Sequence, residues 1–244
     1  MSGHSKWSTI KHKKEKTDAQ RARSFAKISR EIAVCVRQHG ADVNTNPKLR
    51  DLIVKARANN IPNENIERLL ARLSGGQEKD DYEEIKYEGY GPSGIAIMVL
   101  ALTDNRNRTA GDLRHYFDKF GGNLGQSGSV SFLFEEVGMI TLEAAGLSEE
   151  ALMQDLLETN AMDWQVAEDV AFVFVPSEEL ARAKNILETK YNVIDAGFEQ
   201  RPKTYTGVEN KEALEKLEKL LEALENNDDV QKVWVNLEVK EERR

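Results

Sequence analysis

Apolar residues recur at helical spacing in the first part of the chain. A helix is predicted from Thr17, with Phe25, Ile28, Ile32 and Val36 on one face at spacings of three and four residues. The opposite face of the same segment carries cations. Glycine at position 40 ends the pattern, so a single amphipathic helix of about six turns is expected here.

Two more amphipathic helices are predicted after short connections. Asn46 as cap and Pro47 in the first turn open the second helix, and Pro62 opens the third. The third pattern stops at Gly75-Gly76, and the segment 75–81 is typical of a linker. Three such helices predict a small bundle.

Strand patterns replace helical ones after residue 80. Tyr82–Glu88 and Ile95–Leu102 are predicted strands, followed by a helix at Thr109–Phe120 and a strand at Val130–Phe134. Together these elements form a ββαβ series.

A second series then follows with the order βαββαβ, which is typical of a ferredoxin-like unit. Its predicted elements are Met139–Leu142, Ser148–Glu158, Trp164–Ala167, Val170–Val175, Ser177–Lys190 and Asn192–Phe198. A last helix, Asn210–Glu225, and a last strand, Val230–Val239, are left over and complete the earlier ββαβ series.

The predicted fold class is therefore α+β: an N-terminal three-helix domain followed by two α/β domains, one of them a ferredoxin-like unit inserted into the other. The predicted boundaries are 1–79 for the basic helical domain, 80–135 with 205–244 for the discontinuous α/β domain, and 136–204 for the inserted one.

The charge is distributed unevenly along the chain. The 244 residues carry a net charge of -8, but residues 1–79 have a net charge of +9 and the remainder -17. A positive head on a negative body favours a polyanion as partner, and nucleic acid is the obvious one. A single cysteine, no secretory signal and no apolar run long enough for a membrane span predict a cytoplasmic protein without a membrane partner.

Cations near the N-terminus are the first candidate binding residues. A basic arm precedes the first helix, and a stripe of cations runs along that helix, where side chains could contact phosphates while an indole stacks on a base. The alternative for the arm is a solvated tail. The candidates are Lys6, Trp7, Lys11, His12, Lys13, Lys14 and Lys16 in the arm, and Arg23, Lys27, Arg30 and Arg37 in the helix.

Arg106 and Arg108 are further candidates, at the start of the helix predicted near Thr109. Arginine at a helix N-terminus faces the positive end of the dipole, which is unfavourable unless an anion is held there. Local pairing of Asp104 with one of the two arginines is the alternative, and the sequence leaves both open.

Signatures of catalysis are missing from the sequence. The four histidines lack metal-ligand spacing, and no nucleophile stands with a base and an orienting group. The loop Gly121–Ser129 lacks the ending of a P-loop. No catalytic residue, metal, cofactor or small-molecule substrate is predicted. Cys35, between Val34 and Val36, is expected to be a small buried side chain rather than a reactive thiol.

Several long motifs resemble the YebC family of bacterial regulators, which includes the mitochondrial translational activator of cytochrome c oxidase. They are Gly3-His4-Ser5-Lys6-Trp7, Ile10-Lys11-His12-Lys13-Lys14, Asn46-Pro47-x-Leu49-Arg50, Ile61-Pro62-Asn63-x-Asn65-Ile66, Tyr87-Glu88-Gly89-Tyr90-Gly91-Pro92, Leu102 to Thr109, and Gly121-Gly122-Asn123-Leu124-Gly125 with Gly128-Ser129-Val130. The resemblance implies a three-domain α/β protein with a helical N-terminal domain.

The resemblance also implies two functions. Some members of the family are described as DNA-binding transcriptional regulators, and others as ribosome-associated factors that help translation through difficult sequences. We therefore expect a non-enzymatic nucleic-acid-binding regulator of gene expression. The alternative is a translation factor on the ribosome that binds ribosomal or transfer RNA, and a third reading is a protein–protein adaptor that uses the ferredoxin-like unit.

Overall fold

The computed structural model describes residues 18–74, 82–167 and 169–238, with side chains from residue 23 onward. The predicted linker 75–81 lies outside these ranges. No helix within them is long and apolar enough to cross a membrane.

The described residues form two units. The first holds residues 18–74, 82–127 and Lys211–Val233, and it contains three N-terminal helices and a mixed helix-and-sheet body. The second holds Gly128–Asn210 and residues 234–238, and it contains a four-stranded sheet with two helices. The helical start and the two sheets confirm the predicted α+β class.

Three helices open the first unit. They are α1 (Asp18–His39), α2 (Pro47–Ala58) and α3 (Asn63–Ser74). The predicted cap of α2 is present, because the Asn46 side chain accepts a hydrogen bond of 3.0 Å from the Leu49 N–H. Ile28 and Ile32 of the predicted apolar stripe pack in the buried core between the helices, and so does Cys35. The predicted start at Thr17 lies outside the described residues.

The sheet of the first unit draws its strands from both ends of the chain. In sheet order β3-β1-β2-β8, its strands are β1 (Glu83–Tyr90), β2 (Ala96–Thr103), β3 (Asn123–Leu124) and β8 (Val230–Val235). Its helices are α4 (Arg106–Lys119) and α7 (Lys211–Asn226). The hairpin β1–β2 is antiparallel and in register from Glu83 opposite Thr103 to Tyr90 opposite Ala96.

The strand predicted at Val130–Phe134 is wrong. Ser131–Leu133 is a short 3₁₀ helix, and Phe132 within it is 63% exposed. The strand that completes this part of the sheet is β3, which pairs Asn123 with Tyr90. Two residues are too few to show a strand period, so the sequence pattern could not reveal it.

The second unit has the predicted ferredoxin-like order. Its elements are β4 (Phe134–Glu143), α5 (Glu149–Leu156), β5 (Asp163–Ala167), β6 (Val170–Pro176), α6 (Leu180–Leu187) and β7 (Val193–Pro202). All three strand pairings are antiparallel and the sheet order is β5-β6-β4-β7. Ile140 and Val173 on one sheet face pack with Leu152 of α5 and Leu187 of α6 to form the core. The strand predicted at Met139–Leu142 is the second half of the longer β4.

Candidate nucleic-acid interface

The basic arm lies outside the described residues. Nucleic-acid contact by its side chains therefore stays a prediction. The residues concerned are Lys6, Trp7, Lys11, His12, Lys13, Lys14 and Lys16.

The cationic stripe of α1 contacts the C-terminal end of α7. The Arg23 guanidinium donates a hydrogen bond of 2.6 Å to Asn226 Oδ1, and Lys27 Nζ donates one of 2.7 Å to the Glu225 carbonyl oxygen. The last carbonyls of a helix lack partners within the helix and carry the negative end of its dipole. Lys27 therefore caps the C-terminal end of α7, Arg23 adds a side-chain contact to its last residue, and both tie the helical bundle to the sheet body of the same unit.

The remaining two cations of the stripe extend this contact. Arg30 Nη1 donates to the Asp228 carbonyl oxygen, and the Arg30 guanidinium lies 5.8 Å from the centre of the Tyr82 ring. Arg37 Nη2 donates a hydrogen bond of 3.1 Å to the Tyr82 carbonyl oxygen. All four stripe cations thus have intramolecular partners, a role that the sequence did not predict.

Asp229, which the sequence analysis did not single out, is the centre of a polar network at the start of β8. Its side chain is 5% exposed and accepts hydrogen bonds from Thr109 Oγ1 at 2.7 Å, Arg108 Nη2 at 2.9 Å and Thr103 Oγ1 at 3.3 Å. Arg30 Nη2 lies 3.3 Å from its other oxygen. The segment 103–109, which the sequence suggested as an anion site, therefore binds the buried carboxylate of Asp229.

The network also explains the ionisation of its members. Burial alone would raise the pKa of Asp229, but the hydrogen bonds from Thr109 and Arg108 and the charges of Arg108 and Arg30 outweigh burial and lower it. The hydrogen bonds to Asp229 and Asp104 raise the pKa of Arg108 further. Both groups are charged at neutral pH, which makes this a charge-assisted network.

Arg106 and Arg108 differ in their surroundings. Arg108 Nη2 lies 2.8 Å from Asp104 Oδ1, which is the local pairing that the sequence left open, and it also contacts Asp229. Arg106 is exposed, and its guanidinium forms no ion pair with any described residue; the Tyr87 hydroxyl donates to its main-chain oxygen at 3.3 Å. Anion binding at this helix start stays a prediction, and the geometry favours Arg106 as its cation.

The glycine-rich loops are built for close packing. A Cβ on Gly122 would lie 2.6 Å from the Tyr90 carbonyl oxygen, and a Cβ on Gly89 would lie 2.6 Å from that of Asn123. Gly125 N–H, which a phosphate cradle would need, donates a hydrogen bond of 2.8 Å to the Glu88 carbonyl oxygen. These contacts join β1 to β3, and the close approach of the two main chains explains why glycine is required at positions 89 and 122.

A cleft between α2 and α3 carries two arginines that the sequence analysis did not select as a site. Its volume is about 220 Å³; Ile53 and Leu70 contribute to an apolar floor, and Arg50 and Arg57 also line it. Arg57 Nε donates a hydrogen bond of 2.9 Å to Asn63 Oδ1. The spacing of seven residues between the arginines, which places both on one side of α2, is the signal that could have identified them.

An N-terminal helical bundle joined to two antiparallel sheets defines the class, and the chain belongs to the TACO1/YebC family. Residues 5–76 match the TACO1/YebC protein N-terminal domain, and residues 82–237 match the TACO1/YebC second and third domain. The boundaries 1–79, 80–135 with 205–244, and 136–204 stay predictions.

Relatives and a solved structure agree over nearly the whole chain. A probable transcriptional regulatory protein from Finegoldia magna is 46% identical over 97% of this chain and 98% of its own length. One from Persephonella marina is 49% identical over 99% and 98%. A crystal structure of a conserved hypothetical protein from Aquifex aeolicus has 46% identity and a TM-score of 0.86, with 96% of both chains covered.

Proposed function

We propose that the chain is a non-enzymatic regulator of gene expression that binds nucleic acid in the cytoplasm through cations of residues 1–79, with Arg106 as a further contact. The observation that carries the proposal is the separation of charge, with a net +9 in that segment and -17 in the rest. Such a distribution orients the head toward phosphates and the body away from them. The names of the relatives, probable transcriptional regulatory proteins, favour DNA as the target.

The contacts of the described cations divide the candidate residues into two groups. Arg23, Lys27 and Arg30 contact the end of α7 and the loop that follows it, so they would give up these contacts to bind phosphates. The Arg106 guanidinium forms no ion pair with a described residue, and the arginines of the α2–α3 cleft bind partners within the bundle. Because the cleft arginines also have intramolecular partners, we assign phosphate binding to Arg106 and, from its charge, to the arm.

The first test is a change of charge in the arm. Replacing Lys11, Lys13 and Lys14 by Glu should weaken binding to duplex DNA of any sequence and make its salt dependence shallower. The slope of log K against log salt should fall by about 0.9 for each phosphate that the variant no longer neutralises. Fluorescence anisotropy of a labelled duplex at salt concentrations from about 50 to 200 mM measures both effects.

The matched control carries the same change of charge elsewhere. Lys211, Lys216 and Lys219 lie on the exposed side of α7, and their replacement by Glu should leave the salt slope unchanged. An equal weakening in both variants would show that binding responds to net charge alone. Undiminished binding by the folded arm variant would refute the assignment to the arm.

The second test identifies the target in cells. Crosslinking in living cells, purification of the protein and sequencing of the attached nucleic acid should recover discrete promoter DNA, with ribosomal RNA at background. Crosslinks concentrated on ribosomal or transfer RNA would instead make the protein a translation factor and overturn the choice of DNA.

A further inference from the structure

The second unit contains a long segment without any cation. Residues 128–181 carry twelve Asp and Glu residues and no Lys or Arg. A segment with this charge repels nucleic acid and attracts cationic surfaces. Its charge therefore differs from that of the basic head, and the helix α5 lies within it.

Helix α5 is apolar on two sides. Leu152 and Leu156 are buried in the core of the unit, as one side of a surface helix should be. The outward side carries Met153, which is 54% exposed, and Leu157, which is 81% exposed. The two are four residues apart on one continuous helical run, because a 3₁₀ turn extends α5 to Thr159, and side chains at this spacing are neighbours.

A third apolar side chain follows the end of this helical run. Asn160 turns the chain in the left-handed conformation, and Met162, 47% exposed, comes two residues later. Single exposed apolar residues are common, but three close together in sequence around one turn are a candidate for an interaction site. Two of them are methionines, whose flexible side chains adapt to partners of different shape.

Carboxylates surround these apolar side chains. Glu149 and Glu150 lie one turn before Met153, and Glu158 follows Leu157; all three are exposed, and none forms an ion pair with a described residue. Lys190 lies close to this group: its Nζ is 2.5 Å from Asp155, and its charge also interacts with Glu158. Glu149 and Glu150 are therefore available to cations of a partner, whereas the exposed Glu158 shares the charge of Lys190.

We propose that this acidic apolar patch, formed by Met153, Leu157 and Met162 with Glu150 and Glu158, docks a basic amphipathic segment of a partner protein. Apolar side chains of the partner would cover the two methionines and the leucine, and its Lys or Arg side chains would meet the glutamates. Charge complementarity selects this occupant, because nucleic acid and acidic proteins are both repelled. The patch gives the protein a protein-binding surface that is separate from its basic head.

The test uses a defined probe, an 18-residue helical peptide with Leu on one face and Lys on the other. Anisotropy of the labelled peptide should show saturable binding to the full chain, and Met153→Ser with Leu157→Ser should weaken it at least tenfold. The Glu150→Gln, Glu158→Gln variant should weaken binding and flatten its salt dependence. Because these side chains are exposed, the variants are expected to fold, and circular dichroism verifies this.

Matched controls distinguish binding at the patch from nonspecific electrostatic or hydrophobic binding elsewhere on the chain. Ile194→Ser removes a similarly exposed apolar side chain from β7, at the opposite edge of the sheet from β5, and should change the affinity less than twofold. A peptide with Ser in place of Leu and the same charge should bind at least tenfold more weakly. The Lys11, Lys13, Lys14 to Glu variant should bind the peptide as tightly as the unchanged chain, so failure of the nucleic-acid proposal would leave this result intact.

Three results of the binding assay would overturn the proposal: no binding of the peptide to the unchanged chain, equal binding by the unchanged chain and the Met153, Leu157 variant, or equal binding of the Ser-containing peptide.

Analytical sedimentation of the unchanged chain tests a fourth outcome, self-association through the patch. Self-association of the unchanged chain that Leu157→Ser abolishes would assign the patch to a second copy of this chain instead of a basic partner.

Discussion

Replacing Asp229 by Asn removes a negative charge from the centre of the network that joins α1, α4 and β8, and we expect it to lower the free energy of unfolding by about 2–4 kcal/mol. Breaking a buried ion pair costs roughly 3–5 kcal/mol, and a single hydrogen bond to a charged group contributes about 1.5–3 kcal/mol. The expected loss is smaller than that for a fully buried ion pair, because Arg108 is 46% exposed and can be hydrated by water when its partner is removed. At about 2–4 °C per kcal/mol, the melting temperature should fall by roughly 5–15 °C.

The effect should depend on pH in one direction. The pKa of Asp229 is lower in the folded chain than the ordinary value of about 3.9 for an unfolded chain. Folding is therefore favoured by this group above that ordinary value, and the contribution is lost as the pH falls through the lower, folded pKa. Asn does not titrate. The difference between the unchanged chain and Asp229→Asn should be full at pH 7 and shrink below about pH 4.

Urea unfolding followed by circular dichroism at pH 7, 5 and 3.5 measures this difference. Asp228→Asn is the matched control, because it makes the same chemical change at the neighbouring exposed residue, whose contact with Arg30 uses only its main-chain oxygen. A decrease of less than about 0.5 kcal/mol at pH 7, which is within the usual range for surface changes, would refute the reasoning. So would a decrease of equal size in the control, or a difference that does not shrink in acid.

Four further predictions concern individual residues. Arg108→Ala should lower the melting temperature in scanning calorimetry, whereas Arg106→Ala should leave it unchanged and weaken DNA binding in the anisotropy assay; a reversed pattern would contradict the assignment of roles. In urea unfolding, Gly111→Ala should stabilise the chain by about 0.5–1 kcal/mol, since the added methyl group meets open space within α4. Gly122→Ala should destabilise it by roughly 2 kcal/mol or more, because the new Cβ would lie 2.6 Å from a main-chain oxygen. The buried thiol of Cys35 should react with an aromatic disulfide reagent only after unfolding, and prompt reaction in the folded chain would contradict its burial.

Local chemistry explains why most elements could be predicted. Asn46 and Pro47 fix the start of α2 wherever it packs, and the spacing of Ile28 and Ile32 identifies the inner face of α1 before any partner is known. The ferredoxin-like order follows in the same way from alternating strand and helix periods. These signals lie within one element, so the sequence contains them in full.

The failures share a different physical origin. Strand β3 exists because Gly89 and Gly122 let two main chains approach closely, and its two residues carry no period of their own. The partner of the segment 103–109 is Asp229, more than a hundred residues away. A cationic side chain in a sequence predicts a negatively charged or electron-rich partner. The fold decides whether that partner is a carboxylate, a helix C-terminus or a phosphate.

That ambiguity bears on how the basic head works. A cation contributes to polyanion binding only the difference between its new contact and the one it gives up. Arg30 would have to leave a carbonyl oxygen, the carboxylate of Asp229 and the face of Tyr82, whereas the Arg106 guanidinium has no ion pair among the described residues to give up. The stripe on α1 should therefore contribute little to affinity, although its sequence is as basic as that of the arm. Its cations instead hold the helical bundle against the sheet body, which fixes where the first residues of α1 lie in the folded unit.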